Sequence, residues 1–220
     1  MTAAPSPLTA HREDDLIEAI READTAGVPV ILRRGDEASP AAGRVILDAT
    51  RGITVNDDGC DPTGLVYCGA VTVTVAAGEP WDGVVARAVA EEWVGLEALS
   101  GLPGTVGEVV AANPQVFGQS PGDTVAAVHT WDRQQQARAY LAMVYCEFGP
   151  DGSKLSRDLL ADGTPRFVPL KVSFLLKQGD LTTPIRDQKL AELLGVSEGA
   201  RVPLRQVRER LLEQPASPTP

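Results

Sequence analysis

The run Val71-Thr72-Val73-Thr74-Val75 is the strongest constraint on the fold. Period-two alternation turns the valines to one face of a strand and the threonines to the other, so a half-buried sheet must pass through here. A few residues later the period changes. From Pro80 onward Trp81, Val84, Val85, Ala88 and Val89 fall at helical spacing. Pro80 suits a first turn, and Glu79 and Asp82 suit the positive end of the helix dipole. Sheet and helix are thus joined directly, within one packed unit.

The flanking segments repeat both periods. Leu16, Ile17, Ile20 and Ala23 form a helical stripe over 14–26, which Gly27 and Pro29 stop. Val30-Ile31-Leu32 is a short buried strand, and 44–47 and 65–76 are further strands. A Gly-rich turn region covers 95–107. Strands are expected at 125–131, 139–148 and 167–176. Two helices close the chain, one from Pro184 to Leu194 and one from Pro203 that carries Leu204, Val207 and Leu211 on one face. Helix and strands, then helix, turn, strands and helices, make an α+β order rather than regular βαβ alternation. No GxGxxG follows a first strand, which excludes a Rossmann reading. The expected division is a tail over 1–11, one α+β lobe over 12–78, a second over 79–213 and a tail over 214–220.

Charge and composition narrow the function. The net charge is −10. The densest basic stretch, 201–210, is interleaved with Glu209 and apolar residues and reads as a solvated helix face. Nucleic acid and anionic membrane are poor partners for such a chain. The N-terminus lacks a basic stretch followed by an apolar one, and no run reaches spanning length, so a cytoplasmic location is expected. Cys60, Cys68 and Cys146 form no CxxC pair, and the histidines are His11 and His129. Free thiols and no metal site are expected.

Residues 95–107, Gly-Leu-Glu-Ala-Leu-Ser-Gly-Leu-Pro-Gly-Thr-Val-Gly, resemble the flavin-contacting segment of the MurB family, the UDP-N-acetylenolpyruvoylglucosamine reductases. The neighbours agree in order: Gly78-Glu79-Pro80-Trp81-Asp82, then 113–119, then Val128-His129-Thr130-Trp131-Asp132, Cys146-Glu147-Phe148-Gly149 and Arg166-Phe167-Val168-Pro169-Leu170. Residues 190–196 and 203–208 continue the match, which covers about 16–212. The resemblance implies the two-lobed α+β FAD-binding fold shared with vanillyl-alcohol-oxidase (PCMH) enzymes. It also implies a cleft between the lobes, faced by the glycine amides of 101–107.

Four departures accompany it. The family's glycine-rich phosphate loop after the first strand becomes Arg33-Arg34-Gly35-Asp36-Glu37-Ala38-Ser39-Pro40, where two acids oppose phosphate. Its QNxGAYG becomes Ala112-Asn113-Pro114-Gln115-Val116-Phe117-Gly118. Asp151 stands where it has an active-site arginine, with Ser153 retained, and Asp187 where it often has tyrosine. Past Leu212 the chain has no counterpart of the family's substrate domain, with its proton-donating serine and assisting glutamate.

These departures imply an enzyme without reductase chemistry and without an expected cofactor, its vacated cleft folding a long apolar small molecule. Cyclisation of the [4+2] type, as in polyketide biosynthesis, needs little beyond proximity. Gln115 and Asn113 are the candidate catalytic groups, for a substrate carbonyl. Ser100, Gly101, Gly104, Thr105, Val106, Gly107, Phe117, Gly118, Trp81 and Tyr145 are the candidate lining. Two alternatives stand: an FAD-binding oxidoreductase of the MurB type, and a non-catalytic binding protein.

Overall fold

The computed structural model describes residues 7–33, 43–56 and 69–214. Two sheets organise it. A three-stranded parallel sheet has the order β1 (Leu8–Ala10), β3 (Arg44–Asp48), β2 (Val30–Arg33). The helix α1 (Glu13–Thr25) covers it with Leu16, Ile17, Ala19, Ile20 and Ala23, all buried. Leu8–Ala10, assigned above to the tail, is thus part of the sheet. Three residues are too few to show a period, and only pairing with β3 fixes them.

The larger sheet is antiparallel, in the order β4 (Ile53–Asn56), β5 (Ala70–Ala76), β9 (Phe167–Gln178), β7 (Val125–Asp132), β8 (Ala137–Ala142), with β6 (Trp93–Val94) also on β9. The valines of β5 face inward, as their alternation requires. Opposite them, α2 (Trp81–Ala90) and α3 (Val106–Ala112) bury Trp81, Val85, Val106 and Val110 against Phe174 and Val172. Since β4 and β5 pair into this sheet, the change of sheet falls between Asp48 and Ile53, ahead of Gly78. Trp131, Val168 and Leu170, from the large sheet, join the core beneath α1 and hold the two sheets together. There Arg133 donates to both Asp24 oxygens (Nε 3.1 Å, Nη2 2.6 Å to Oδ1), to Thr164 Oγ1 and to the Pro165 carbonyl.

Two other expectations change. Residues 139–148 are not one strand: β8 ends at Ala142 and α4 (Met143–Cys146) follows. Ala142 pairs Ala127, and β7 begins only two residues earlier, so no ladder remains to extend β8. The penultimate helix, α6 (Gln188–Leu194), begins four residues after Pro184. Asp187 caps it by accepting from the Leu190 amide, and Ile185 is held extended by bonds to Ala200 and Gly199. The last helix, α7 (Leu204–Leu212), packs with α6 through Val207. No helix among the described residues is long and apolar enough to cross a membrane.

Candidate functional site

The cleft of interest opens where the carboxyl ends of β2 and β3 meet the start of α3. The sequence builds that start locally. Thr105 accepts from the Glu108 amide, and Glu108 Oε2 accepts from the Thr105 amide at 2.7 Å, a reciprocal capping box. The box was readable as Thr-x-x-Glu ahead of Val109 and Val110, yet the glycines suggest only a turn. Asn113 ends the helix in the left-handed region, φ 46°.

The cavity here has a volume of about 230 Å³. Leu32, Ala77, Ala111, Leu155, Pro165, Phe167 and Pro169 make it apolar; Asp48 and Glu108 are its charged groups, and Thr105, Gly107 and Ser156 complete the lining. Leu155 belongs to α5 (Lys154–Arg157), which Ser153 caps. No Lys or Arg is among the described lining residues. Asp48 Oδ1 accepts from the Thr50 amide at 2.9 Å. Burial raises the Asp48 carboxyl above its ordinary pKa; Thr50 and Arg51 oppose that shift and Glu108 adds to it.

Of the amides of 101–107, expected to face a ligand, those of Gly101 and 105–107 are bonded within the protein. The Gly107 amide donates to the Ala77 carbonyl and the Val106 amide to the Glu79 carbonyl, both at 2.9 Å. The Thr105 amide goes to Glu108 and the Gly101 amide to Asp82 Oδ1 at 2.7 Å. Gly107 is small for packing: a Cβ there would stand 3.1 Å from that of Ala77. Of the expected lining, Thr105 and Gly107 reach this cavity. Val106 and Trp81 are core, the Trp81 indole donating to the Leu99 carbonyl. Gly101 and Gly104 face away, toward Leu212 and Val109. Ser100 donates to the Glu97 carbonyl.

The remaining residues scatter. Phe117 and Gly118 line a separate 300 Å³ pocket with Glu97, Thr182 and Asp187. Asn113 and Gln115 border a third, beside α4. Asn113 is not free to polarise a carbonyl, because Nδ2 donates to Gly149 O and Oδ1 accepts from the Gly122 amide. Tyr145 is 65% exposed. The departures are structural too: Asp151 sits on an exposed turn, and Ser153 donates to the Ala111 carbonyl. Cys146 is buried, its thiol pushed up to about 11 by desolvation, so it is no nucleophile. His129 packs edge-on to Tyr140. No cluster of three His, Cys, Asp or Glu suited to a metal exists among the described residues. Cys60, Cys68, Arg34, Asp36 and Glu37 lie outside the described residues.

The FAD-binding-domain family matches residues 7–134, more than half of the chain, and the chain belongs to that family. Within it, the relatives are MurB enzymes. The chain is 36% identical to a UDP-N-acetylenolpyruvoylglucosamine reductase of Salinispora arenicola, over 93% of this chain and 54% of that one. It is 33% identical to the enzyme of the same name from Cutibacterium acnes, over 92% and 52%. It therefore spans about half the length of the curated relatives it matches. The MurB structure from Thermus caldophilus superposes with a TM-score of 0.54 at 20% identity, covering 93% of this chain and 59% of that one. A cholesterol oxidase from B. sterolicum superposes at 0.51 and 18% identity, covering 87% and 40%. The fold is the α+β FAD-binding fold of MurB and vanillyl-alcohol-oxidase-type flavoproteins.

The residues described around the cleft do not fit FAD. A pyrophosphate needs cations or unpaired amides. Here the amides of 105–107 are spent and the charges are carboxylates. The cavity is also below the range of about 300–1,000 Å³ that holds drug-sized ligands.

Proposed function

We propose that this FAD-binding-fold chain binds a small, largely apolar molecule in the cleft between α3 and the parallel sheet, and that any catalysis there proceeds without a redox step. The observation that carries this reading is the lining: seven apolar residues, two carboxylates and no cation among the described lining residues. Leu155 and Phe167 exclude water and fix a ring or chain by shape. Positioning alone contributes up to roughly 7–11 kcal/mol to a barrier in favourable cases. Ring closure of the cycloaddition type suits a site with no nucleophile–base pair, and its substrate here is compact, since about 230 Å³ does not take a long chain.

The second reading is a flavin-dependent oxidoreductase of the MurB type. Family membership over 7–134 and the names of the relatives favour it. The two readings separate in an assay of NADPH oxidation with UDP-N-acetylenolpyruvoylglucosamine and added FAD. The first predicts no substrate-dependent oxidation; turnover would establish the second. Filling the cleft supplies the positive control. Val106 is core and would unfold on enlargement, whereas Ala111 is a partly buried lining residue. Ala111→Trp is expected to keep the circular dichroism spectrum and abolish binding of small apolar probes.

A further inference from the structure

The charge in the cleft says which apolar molecules it takes. Asp48 is met by Thr50, and Glu108, at the rim, by the Thr105 amide; neither has a cationic partner among the described residues of the cleft's lining. Arg51 acts on Asp48 through charge, but its hydrogen bonds go elsewhere: its guanidinium donates to the Thr50 and Gly78 carbonyls and stands 3.8 Å from Glu79 Oε2. Two carboxylates beside a water-poor apolar surface repel each other and any anion, and both effects strengthen as local dielectric falls. One positive charge placed between them reverses the balance. A group of phosphates worsens it.

We propose that the cleft binds a molecule pairing an apolar ring or short chain with a protonated amine, the amine set between Asp48 and Glu108 and the apolar part against Leu155, Phe167 and Pro169. This rests on the non-redox reading of the cleft. The size agrees, for about 230 Å³ holds one or two fused rings with a short arm. So does the polarity: an apolar lining with few convergent polar groups at one end is how small-molecule sites fix orientation. Desolvation of the half-buried Asp48 carboxyl outweighs the opposing Thr50 and Arg51, and an amine in the cleft would offset it further. A net charge of −10 further concentrates cations near the surface.

The test is a thermal-shift titration of the full chain at pH 7. The probes are tryptamine, n-hexylamine, the neutral tryptophol, the anionic indole-3-acetate, inorganic pyrophosphate and FAD. At least one amine is expected to raise the melting midpoint. Tryptophol should bind at least tenfold more weakly than tryptamine, and the anions should have no effect. Asp48→Asn and Glu108→Gln, each checked for folding by circular dichroism, should each weaken the amine at least tenfold. Equal binding of tryptamine and tryptophol overturns the amine while leaving the apolar cleft standing. Stabilisation by FAD overturns both readings. No shift with either amine, or full amine affinity in Asp48→Asn, overturns the inference alone.

Discussion

Asp48 shows how a single carboxyl couples stability to a site. Desolvation is the largest influence on it and raises its pKa in the folded chain. An acid whose folded pKa is raised is ionised at a cost: above its unfolded pKa, about 3.9, it subtracts from stability, and the loss fades as pH falls through the folded pKa and toward the unfolded one. Asparagine keeps the acceptor for the Thr50 amide without the charge. Asp48→Asn is therefore expected to melt higher than the natural chain at pH 7, with the gap closing toward pH 3. Melting curves across that range check the sign; a lower midpoint at neutral pH would show that the carboxylate stabilises the fold. A half-buried acid kept at the expense of stability is typical of binding sites. Nothing in the sequence marked Asp48, because its burial and its approach to Glu108 arise from joining β3 to α3.

At the scale of elements, α3 and its exit position everything near the cleft. Asn113 holds a left-handed turn and bonds both Gly149 and Gly122, fixing α3 against the turns that follow it. Asn113→Ala leaves the buried Gly122 amide unpaired and strains the backbone, at about 3 kcal/mol together; Asn113→Gly removes only the strain and should cost roughly 1 kcal/mol less. Denaturant unfolding measures both, and probe binding in the cleft should survive the glycine variant. Further along, Asp82 receives two bonds from Arg208, at 2.6 and 2.7 Å, tying α2 to α7. Arg208 is the main reason that Asp82 titrates below its usual value. Its contribution is present above about pH 4 and lost as pH falls through the lowered folded pKa. Asp82→Asn should flatten the acid limb of the pH–stability curve; an unchanged limb would place the acid sensitivity elsewhere, Asp132 with Arg166 being the next pair.

Elements with a long period were legible in the sequence. The Val–Thr alternation of β5, the stripe of α1 and the helix after Pro80 all stand where periodicity put them. Short elements were not. β1 exists through its partner strand, and α4 replaces the end of a strand whose partner runs out. The site was less legible than the fold. The order of motifs places Thr105 and Gly107 at the cleft, but chain order cannot show that the amides of Gly107 and Gly101 are spent on Ala77 and Asp82.

The whole molecule keeps the architecture of an FAD-binding domain, and its cleft is proposed to take an apolar amine in place of a dinucleotide. That contrast is the central claim, and one measurement addresses it most directly: the visible absorbance of the purified full chain, taken with its melting midpoint before and after saturation with FAD. A ligand at a hundredfold its dissociation constant adds about 2.7 kcal/mol, which for a chain of this size is roughly 5–10 °C. A colourless protein whose midpoint FAD does not move is the predicted result. Flavin absorbance in the purified chain, or a rise of that size with FAD, would contradict the account.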